Sequence, residues 1–552
     1  MRRALLPLAL AASCAFLPGG AQCGQSAASA QPGFTIAGTV VERGTNRPLN
    51  RVLVTINPAE HRETQFSCIT ASDGRFAFTN LPVGKYSLAA AKRGEMLEGY
   101  NQDENYATAI AVGPGLDSQN IVFALDVPGS LSGTVLDEEG DPVPQAQVWL
   151  FRKRVFLGRA QFIMRQTQQT DSSGSFYIGH LAPGTYYAAV QGRPWYAQNS
   201  FQPQTEDQPP AELAGGPPVS ELDVAYPVTY YGDSVDPASA SPITISEGGS
   251  ATVQITIHAV PALHVELAGS DPQTHHGVGT QLSTLGPGGF PILVNGPMLT
   301  IGNRQILTGI APGRYIVNVE SFERGHPEVI GTKTIELTGD SNLDVRDLPK
   351  ATLTGRVGFE ANERPSGQVA IEFIPLARGF NRRDFNFSIA SDGSLEATDS
   401  NIVPGRYQLQ IVNAPGFFLK SINVKGAKNL GNEIDVPEGG SVQLSIIASK
   451  GLTRINGIAV KDENPIAGAM VLLVPQDLSR TDQFRRDQSD SDGTFSLFDV
   501  EPGRYTLVAI DHGHELEYEN PEVINAYLSQ GEPLEAPLRN RSAVKVNVQV
   551  RR

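Results

Sequence analysis

The chain contains one turn motif five times, and the spacing of the copies limits what the chain can fold into. In each copy a Pro-Gly or Pro-x-Gly turn leads directly into a tyrosine and an apolar run. The five pairs of turn glycine and tyrosine are Gly84 and Tyr86, Gly184 and Tyr186, Gly313 and Tyr315, Gly405 and Tyr407, and Gly503 and Tyr505. A spacing of roughly 100 residues corresponds to a whole small domain, whereas solenoid units repeat every 20–50 residues. The sequence therefore predicts a tandem array of about five similar domains.

The residues before each turn predict β-strands. An Asp-Gly or Ser-Gly turn is followed by alternating apolar and polar residues in four copies, at 72–78, 171–177, 391–395 and 491–497. Glycine supplies the positive φ of a tight turn, and an alternation with period two is typical of a half-buried strand. Proline then fixes φ and glycine permits the reversal, so the Pro-Gly turn ends one strand and begins the next. We expect each tyrosine ring to pack inside, with its hydroxyl hydrogen-bonded near the rim.

The start of each copy adds a family resemblance. A Gly-x-Val strand, a proline-containing loop and a second apolar strand precede the Asp-x-x-Gly-x-Phe and Leu-x-Pro-Gly-x-Tyr segments. This order resembles the carboxypeptidase regulatory-like domain, a transthyretin-like module among the carbohydrate-binding-like sandwiches. The first, second and fifth copies resemble it well, the fourth less, and the third only from Pro312 to Tyr315. The resemblance implies an all-β fold of about five tandem seven-stranded Greek-key β-sandwiches of prealbumin or immunoglobulin type, and it leaves the function open.

The motif positions predict domain boundaries. The predicted segments are a signal peptide at 1–30 and β-sandwiches at 34–127, 129–260, 262–348, 350–448 and 452–550. The second sandwich carries a long extension at 198–246, which is rich in proline, serine, alanine and acidic residues and explains the larger step between the second and third tyrosines. The third sandwich is divergent, and no segment shows a sustained helical period.

The N-terminal segment resembles an export signal. Two arginines precede an apolar run at 4–17 that is too short to span a bilayer. Cleavage after Ala21 or Ala30 would release a soluble chain, and lipoprotein processing at Cys14 is the alternative, which would leave a lipid anchor. No later segment has about 18 consecutive apolar residues, so no transmembrane segment is expected. The predicted location is extracytoplasmic: secreted, periplasmic or on the cell surface.

The net charge argues against nucleic acid as a partner, and the cysteine content argues against disulfides as the source of stability. The net charge is −15 and no basic stripe offsets it, so nucleic acid is not an expected partner. Two of the three cysteines, Cys14 and Cys23, lie in or beside the signal, which leaves Cys68 alone. No disulfide framework is expected, and each domain must be held by packing.

The sequence contains no recognised catalytic motif. There is no His-Glu-x-x-His, no Gly-x-Ser-x-Gly elbow, no phosphate-binding loop and no dinucleotide fingerprint, so we expect no catalytic residue, no metal and no cofactor. Histidines at 512–514 and 275–276 are better interpreted as solvated loops than as metal clips. The Asp-Ser-Asp-Gly segment at 490–493 is better interpreted as a hairpin turn than as a calcium loop, because it lacks the flanking helices and the final glutamate.

Aromatic residues outside the repeat pattern are the candidate binding residues. Trp195 and Tyr196 follow the second tyrosine strand, and Tyr230 and Tyr231 lie in the extension. Exposed aromatic rings stack on sugar faces or bury in protein interfaces. The alternative is that this long loop packs on its own sandwich.

Three hypotheses follow. The first is an exported non-catalytic binding or scaffold protein that presents β-sandwich loops to a polysaccharide or to an extracytoplasmic protein. The second is a structural surface spacer without a ligand site. The third is an enzyme with an unusual site in the 198–246 extension.

Overall fold

β-Strands account for nearly all regular secondary structure in the chain. The structure is a computed structural model, and it describes residues 33–59, 63–92, 97–197, 222–268, 278–294, 296–301, 304–321, 328–344, 351–376, 385–396, 401–537 and 543–552. The predicted all-β sandwich fold is confirmed. Within these ranges no helix is both long enough and apolar enough to cross a membrane. The predicted signal peptide with Cys14 and Cys23, residues 198–221 of the predicted extension and the histidines at 275–276 lie outside the described residues.

The chain divides into two units, and the first contains the first repeat. That unit spans residues 1–125 together with Asp490–Asp492. The strands of the first repeat are β1 Phe34–Glu42, β2 Leu53–Pro58, β3 Phe66–Ile69, β4 Arg75–Leu81, β5 Gly84–Ala91, β6 Glu98–Gly99, β7 Ile110–Val112 and β8 Ile121–Leu125. They form two sheets, in the orders β4-β1-β8 and β3-β2-β5 with β6 and β7 beside β5. The core lies between the sheets, and Cys68 is half-buried against it.

The second unit spans Asp126–Ser489 and Gly493–Arg552 and contains the other four repeats. The second repeat has β9 Gly129–Leu136, β10 Gln147–Phe156, β11 Arg159–Gln169, β12 Ser175–Leu181, β13 Gly184–Gln191, β14 Val224–Ala225, β15 Thr229–Tyr230, β16 Ile243–Ile245, β17 Ser250–Thr256 and β18 Val260–Pro261. The third has β19 Leu263–Ala268, β20 Val278–Leu285, β21 Pro291–Val294, β22 Met298–Ile301, β23 Arg304–Ile310, β24 Gly313–Ser321, β25 Glu328–Leu337 and β26 Ser341–Asp344.

The last two repeats contain β27 to β44 and one α-helix. The fourth has β27 Ala351–Phe359, β28 Ala370–Pro375, β29 Phe385–Ile389, β30 Leu395–Glu396, β31 Asn401–Ile402, β32 Gly405–Val412, β33 Phe417–Lys425, β34 Lys428–Leu430, β35 Glu433–Val436 and β36 Ser441–Lys450. The fifth has β37 Thr453–Lys461, β38 Asn464–Pro465, β39 Met470–Pro475, β40 Arg485–Gln488, β41 Thr494–Val500, β42 Gly503–Asp511, helix α1 Pro521–Leu528, β43 Glu532–Ala536 and β44 Val544–Val550. Short 3-10 turns lie at Pro237–Ser239, Pro287–Gly289, Glu360–Asn362 and Thr481–Gln483.

All five repeats share one pairing pattern. The opening strand pairs antiparallel with the strand before the Pro-Gly turn and parallel with the closing strand, as β9 does with β12 and β17. The second strand pairs antiparallel with the third and with the tyrosine strand, as β10 does with β11 and β13. In the divergent third repeat, β19 pairs with β23 and β26, and β20 pairs with β21 and β24. The same topology therefore forms there without the Asp-Gly turn.

A glycine of the opening strand lets the closing strand approach. Gly133 pairs with Phe176 on one side and Val253 on the other, and a Cβ at Gly133 would lie 2.5 Å from the Phe176 ring and 2.8 Å from Val253. Contacts below 3.0 Å require the neighbours to shift. The Gly-x-Val motif is therefore a packing requirement in this repeat, because the core has no room for a side chain at the glycine.

A buried hydroxyl fixes the proline-containing loop of the second repeat. The Thr170 hydroxyl accepts from the Ala146 N–H at 2.8 Å and donates to the Val143 carbonyl at 2.7 Å. Thr70 does the same in the first repeat, with Val52 and Leu49, and Ser489 in the fifth, with Ala469 and Ile466. The sequence signal for this buried hydroxyl is a Thr or Ser four residues before the glycine of the Asp-Gly or Ser-Gly turn.

The second and third repeats share part of one core. β10 is buried on both faces: Val148 and Leu150 pack within the second repeat, and Trp149 and Phe151 pack with residues of the third. Full burial of such side chains stabilises by about 2 kcal/mol each. The uninterrupted apolar run at 148–151 was the sequence signal for two-sided burial.

Helix α1 forms although no segment of the sequence shows a sustained helical period. Asn520 caps it by accepting from the Glu522 N–H, and Pro521 occupies the first turn, where its missing N–H costs nothing. Ile524 and Tyr527 are buried against the outer face of β39. Eight residues are too few for a sustained helical period, so only the Asn-Pro-Glu start signal was readable in the sequence.

Candidate functional site

The five repeat tyrosines have one common geometry. Each ring is at most 6% exposed. Each hydroxyl donates to the carbonyl four residues earlier, at 3.0 Å for Tyr86, 2.6 Å for Tyr186 and Tyr315, 2.7 Å for Tyr407 and 2.9 Å for Tyr505. The turn glycine has a φ between +144° and +157° in the first four copies but not at Gly503. Burial raises the pKa of Tyr315 and of Tyr505 to about 12, so these phenols stay protonated as donors. The motif is therefore structural and offers no free group to a ligand.

Trp195 stands out among the candidate binding residues because its indole is 81% exposed. The ring of Tyr196 meets it edge-on, with the ring centroids 5.7 Å apart and an interplanar angle of 87°. The Tyr196 hydroxyl donates to Glu138 Oε1 at 2.9 Å, and the other oxygen of Glu138 accepts from the Ala259 N–H at 3.3 Å. We call Trp195, Tyr196 and Glu138 the aromatic shelf.

Burial and the Glu138 carboxylate keep the phenols of Tyr196 and the neighbouring Tyr226 neutral. Burial and the neighbouring Glu138 carboxylate both raise the pKa of Tyr226, whose hydroxyl is hydrogen-bonded to that of Tyr196. The same two causes raise the pKa of Tyr196. The shelf therefore combines the exposed indole of Trp195 with the phenol of Tyr196, which remains a hydrogen-bond donor at neutral pH. No local sequence pattern identifies Glu138 as a residue of the shelf, because nothing in the pattern shows which aromatic ring it meets.

Tyr230 and Tyr231 do not join this shelf. Tyr230 is 1% exposed, packs in the core that the second and third repeats share, and donates to the Leu285 carbonyl at 3.4 Å. Tyr231 is half-buried against the core of the second repeat. The expectation that they present exposed rings was wrong, because the extension returns as β15 and pairs with β13.

The titratable side chains at the predicted loops do not form a metal site in the part of the chain that the structure describes. Among the described residues, no group of three or more His, Cys, Asp or Glu side chains has the arrangement of a metal site. His512 is 83% exposed, and its ring lies 6.4 Å from that of His514. Within the first unit, Lys85 forms ion pairs with Asp490 and Asp492.

An ion-pair network that the sequence did not reveal joins three repeats of the second unit. Arg159, beside the tip of the β10–β11 hairpin, contacts Glu433 at 2.9 Å, the Thr481 hydroxyl at 2.9 Å and Glu519. Arg406 contacts the other oxygen of Glu433 at 2.7 Å. Burial raises the pKa of Glu519, against the lowering effect of Arg159. These charges lie far apart in sequence, so no local pattern could have paired them.

Comparison with protein families identifies the first two repeats. Residues 35–121 and 130–212 match the carboxypeptidase regulatory-like domain. The resemblance predicted from the sequence is confirmed. Comparison with curated proteins gave no match.

Solved structures similar to this chain include bacterial pilins. The minor pilin of Streptococcus agalactiae is 17% identical, with a TM-score of 0.21, over 41% of this chain and 96% of the pilin. The shaft pilin SpaA of Lactobacillus rhamnosus GG is 11% identical, with a TM-score of 0.19, over 41% of this chain and 97% of its own. The major pilin subunit of Bacillus cereus, as a variant, is 10% identical, with a TM-score of 0.15, over 76% and 99%. Likenesses at these scores assign no function to this chain.

Proposed function

We propose that this chain is an exported, non-catalytic binding and scaffold protein built from five β-sandwich domains with the boundaries that the repeats predict. The proposal rests on the signal-like N-terminus, the repeated turn motif and a sequence without a recognised catalytic motif. Its ligand is a polysaccharide bound at the aromatic shelf. The observation that carries the ligand assignment is the exposure of Trp195.

An indole left in solvent beside a hydrogen-bonded tyrosine suits a sugar ring. The apolar C–H face of a pyranose can cover the indole and remove its surface from water, at about 25 cal/mol per Å² of apolar area. Tyr196 holds the indole edge, and Glu138 fixes Tyr196. Glu138 also supplies an acceptor for sugar hydroxyl groups. Core packing does not explain this ring, since 81% of its surface is accessible.

The test is retention on insoluble polysaccharides. Purified residues 31–552 would be incubated with a panel of insoluble glycans and with isolated cell envelope, beside Trp195→Ala. Tyr177→Ala is the matched control, because Tyr177 is an exposed aromatic residue of the same repeat, at 65% exposure. Retention on a glycan that Trp195→Ala abolishes and Tyr177→Ala preserves would support the proposal. Equal retention of all three proteins would refute the shelf as the site, and robust hydrolysis of a retained glycan would refute the non-catalytic assignment.

The surface spacer is the second candidate, and the Arg159 network favours it. The contacts of Arg159 with Glu433, Thr481 and Glu519 fix three repeats of the second unit against one another. A spacer requires such fixed contacts and no ligand. The absence of retention on any glycan, together with no capture of an envelope protein, would favour the spacer.

A further inference from the structure

A cleft lies between the second and third repeats, on the side of the second unit where the third Pro-Gly turn is located. Its volume is about 580 Å³, which falls within the range of ligand sites. One wall comes from the segment at 226–237 and Val260, and the other from β20, β21 and the turn at 311–315. Both walls belong to the same unit and meet at the shared core.

The walls of this cleft are mainly aliphatic. They include Pro227, Val228, Pro237, Val260, Leu285 and Pro312. Val235 and Leu285 are exposed, by 63% and 37%, so apolar surface is accessible to an occupant. The tyrosines that reach the cleft are at most 6% exposed, so they offer hydroxyl edges and no ring faces. A sugar ring therefore finds no stacking surface there, in contrast to the indole of Trp195.

One positive charge at the cleft has no partner among the residues that the structure describes. Arg314 lines the cleft and is exposed, and its guanidinium forms no ion pair or hydrogen bond with any residue that the structure describes. Its counterpart in the fourth repeat, Arg406, is paired with Glu433. Glu336 lies opposite Arg314 in the register of β24 and β25 without forming an ion pair with it. Asp236, on the other wall, caps a 3-10 turn by accepting from Ala238 N and the Ser239 hydroxyl.

We propose that this cleft binds an extended aliphatic peptide segment of a partner protein, with an acidic side chain of the peptide paired to Arg314. Aliphatic walls suit valine, leucine and proline side chains, and the lining also includes the polar residues Gln191, Thr284 and Asp236, beside which peptide N–H and C=O groups can form hydrogen bonds. An acyl chain offers no hydrogen-bonding group to the polar residues of the lining, whereas a peptide backbone does, so a fatty acid is the less favoured occupant. An unpaired guanidinium is suited to recognise a carboxylate, because the charge-assisted bond can be bidentate. The site is independent of glycan binding at the aromatic shelf.

The test is selection of displayed linear twelve-residue peptides on the immobilised chain, followed by fluorescence anisotropy with the most enriched synthetic peptide. We expect enriched peptides to combine aliphatic residues and proline with Asp or Glu. Arg314→Glu should weaken binding of the peptide at least about tenfold, since it removes an attraction and adds a repulsion. Glu336→Gln should strengthen binding about twofold to threefold, because a competing negative charge is removed.

Arg504→Glu is the matched control, because Arg504 has the same place in the turn of the fifth repeat and does not line the cleft. Its peptide affinity should equal that of the unaltered chain. The proposal is overturned if no peptide is enriched, if enriched peptides are basic, or if Arg314→Glu and Arg504→Glu behave alike. Saturable binding of sodium dodecanoate that displaces the peptide and survives Arg314→Glu would overturn it in favour of a lipid site. Trp195→Ala should bind the peptide with unchanged affinity, and Arg314→Glu should still be retained on the glycan. The peptide proposal and the glycan proposal can therefore fail separately.

Discussion

The second and third repeats have the same strand pairings but fill the same place in the core differently. In the second repeat, the opening strand has Gly133 between Phe176 and Val253. In the third repeat, Leu267 stands at that place, between Gln305 and Leu343, and it is 1% exposed. The second repeat thus packs the Phe176 ring over a glycine, whereas the third repeat packs Leu267 beside Gln305, which is smaller than phenylalanine.

What both repeats keep is the tyrosine turn and the parallel closing strand. Tyr186 and Tyr315 both donate to the carbonyl four residues earlier at 2.6 Å. The core position accepts either glycine or leucine because packing requires only the right total side-chain volume. The turn accepts no such change, because the tyrosine hydroxyl must lie at hydrogen-bond distance from the carbonyl four residues earlier. Conversion of one repeat toward the other therefore tests which features specify the fold.

The largest effect is expected from Gly133→Leu. The new side chain would enter space that the Phe176 ring already fills, and overpacking should lower the free energy of unfolding by about 3 kcal/mol. Phe176→Ala alone should cost about 3–5 kcal/mol through the cavity it leaves. The double variant should cost less than the sum, because the leucine fills that cavity. Urea unfolding followed by tryptophan fluorescence measures this, since both tryptophans, Trp149 and Trp195, lie in the second repeat. Additive costs would contradict the volume argument.

The next effect concerns the buried hydroxyl that the fourth repeat lacks. In that repeat Ile389 occupies the place of Thr170, four residues before the turn glycine. Thr170→Val should cost about 2 kcal/mol, because it leaves the Ala146 N–H and the Val143 carbonyl without their partner. Thr170→Ser keeps the hydroxyl and should cost less than half as much in the same urea experiment. Equal costs for the two substitutions would show that the hydroxyl is not the stabilising group.

A smaller loss of stability is expected when the hydroxyl of Tyr186 or Tyr315 is removed, and the loss should be the same for both tyrosines. Tyr186→Phe and Tyr315→Phe each remove one hydrogen bond and keep the ring, so each should cost about 1 kcal/mol. Thermal unfolding by calorimetry reports both, independently of the tryptophans. If only one substitution destabilised its repeat, the tyrosine turn would not be the shared determinant of the two.

The smallest effect is a pH dependence that the third repeat lacks, since its sequence has no Asp-Gly turn. In the second repeat the Ser173 hydroxyl, with the Ser175 and Ser173 N–H groups, lowers the pKa of Asp171 below its usual value. A carboxyl whose folded pKa is lowered contributes stability that is present above the unfolded pKa and is lost as pH falls through the folded value. Asp171→Asn should therefore lower the urea midpoint slightly at pH 7 and leave it unchanged near pH 2.5. An identical loss at both pH values would exclude the carboxylate as the cause.

Local sequence patterns predicted more of the fold than of the candidate site. The turn glycines, the tyrosines and the alternating strands could be located because each depends on residues within about ten positions of one another. The aromatic shelf was half predicted: Trp195 and Tyr196 were named, but Glu138 lies 58 positions from Tyr196 and has no local signal as its partner. Tyr230 was misjudged for the same reason, since its burial depends on the third repeat.

The sequence by itself determined the class of fold, its repetition and the position of every tyrosine turn, because period-two alternation and turn chemistry are local and recur about every 100 residues. Only the tertiary structure decided which surfaces remain open. It buried both faces of β10, left the indole of Trp195 in solvent and placed Arg314 at a cleft between two repeats. The physical reason is that burial and ion pairing depend on contacts between residues far apart in the chain. A hydrophobic pattern shows that a strand must bury one face, but it does not show which distant residues will cover that face.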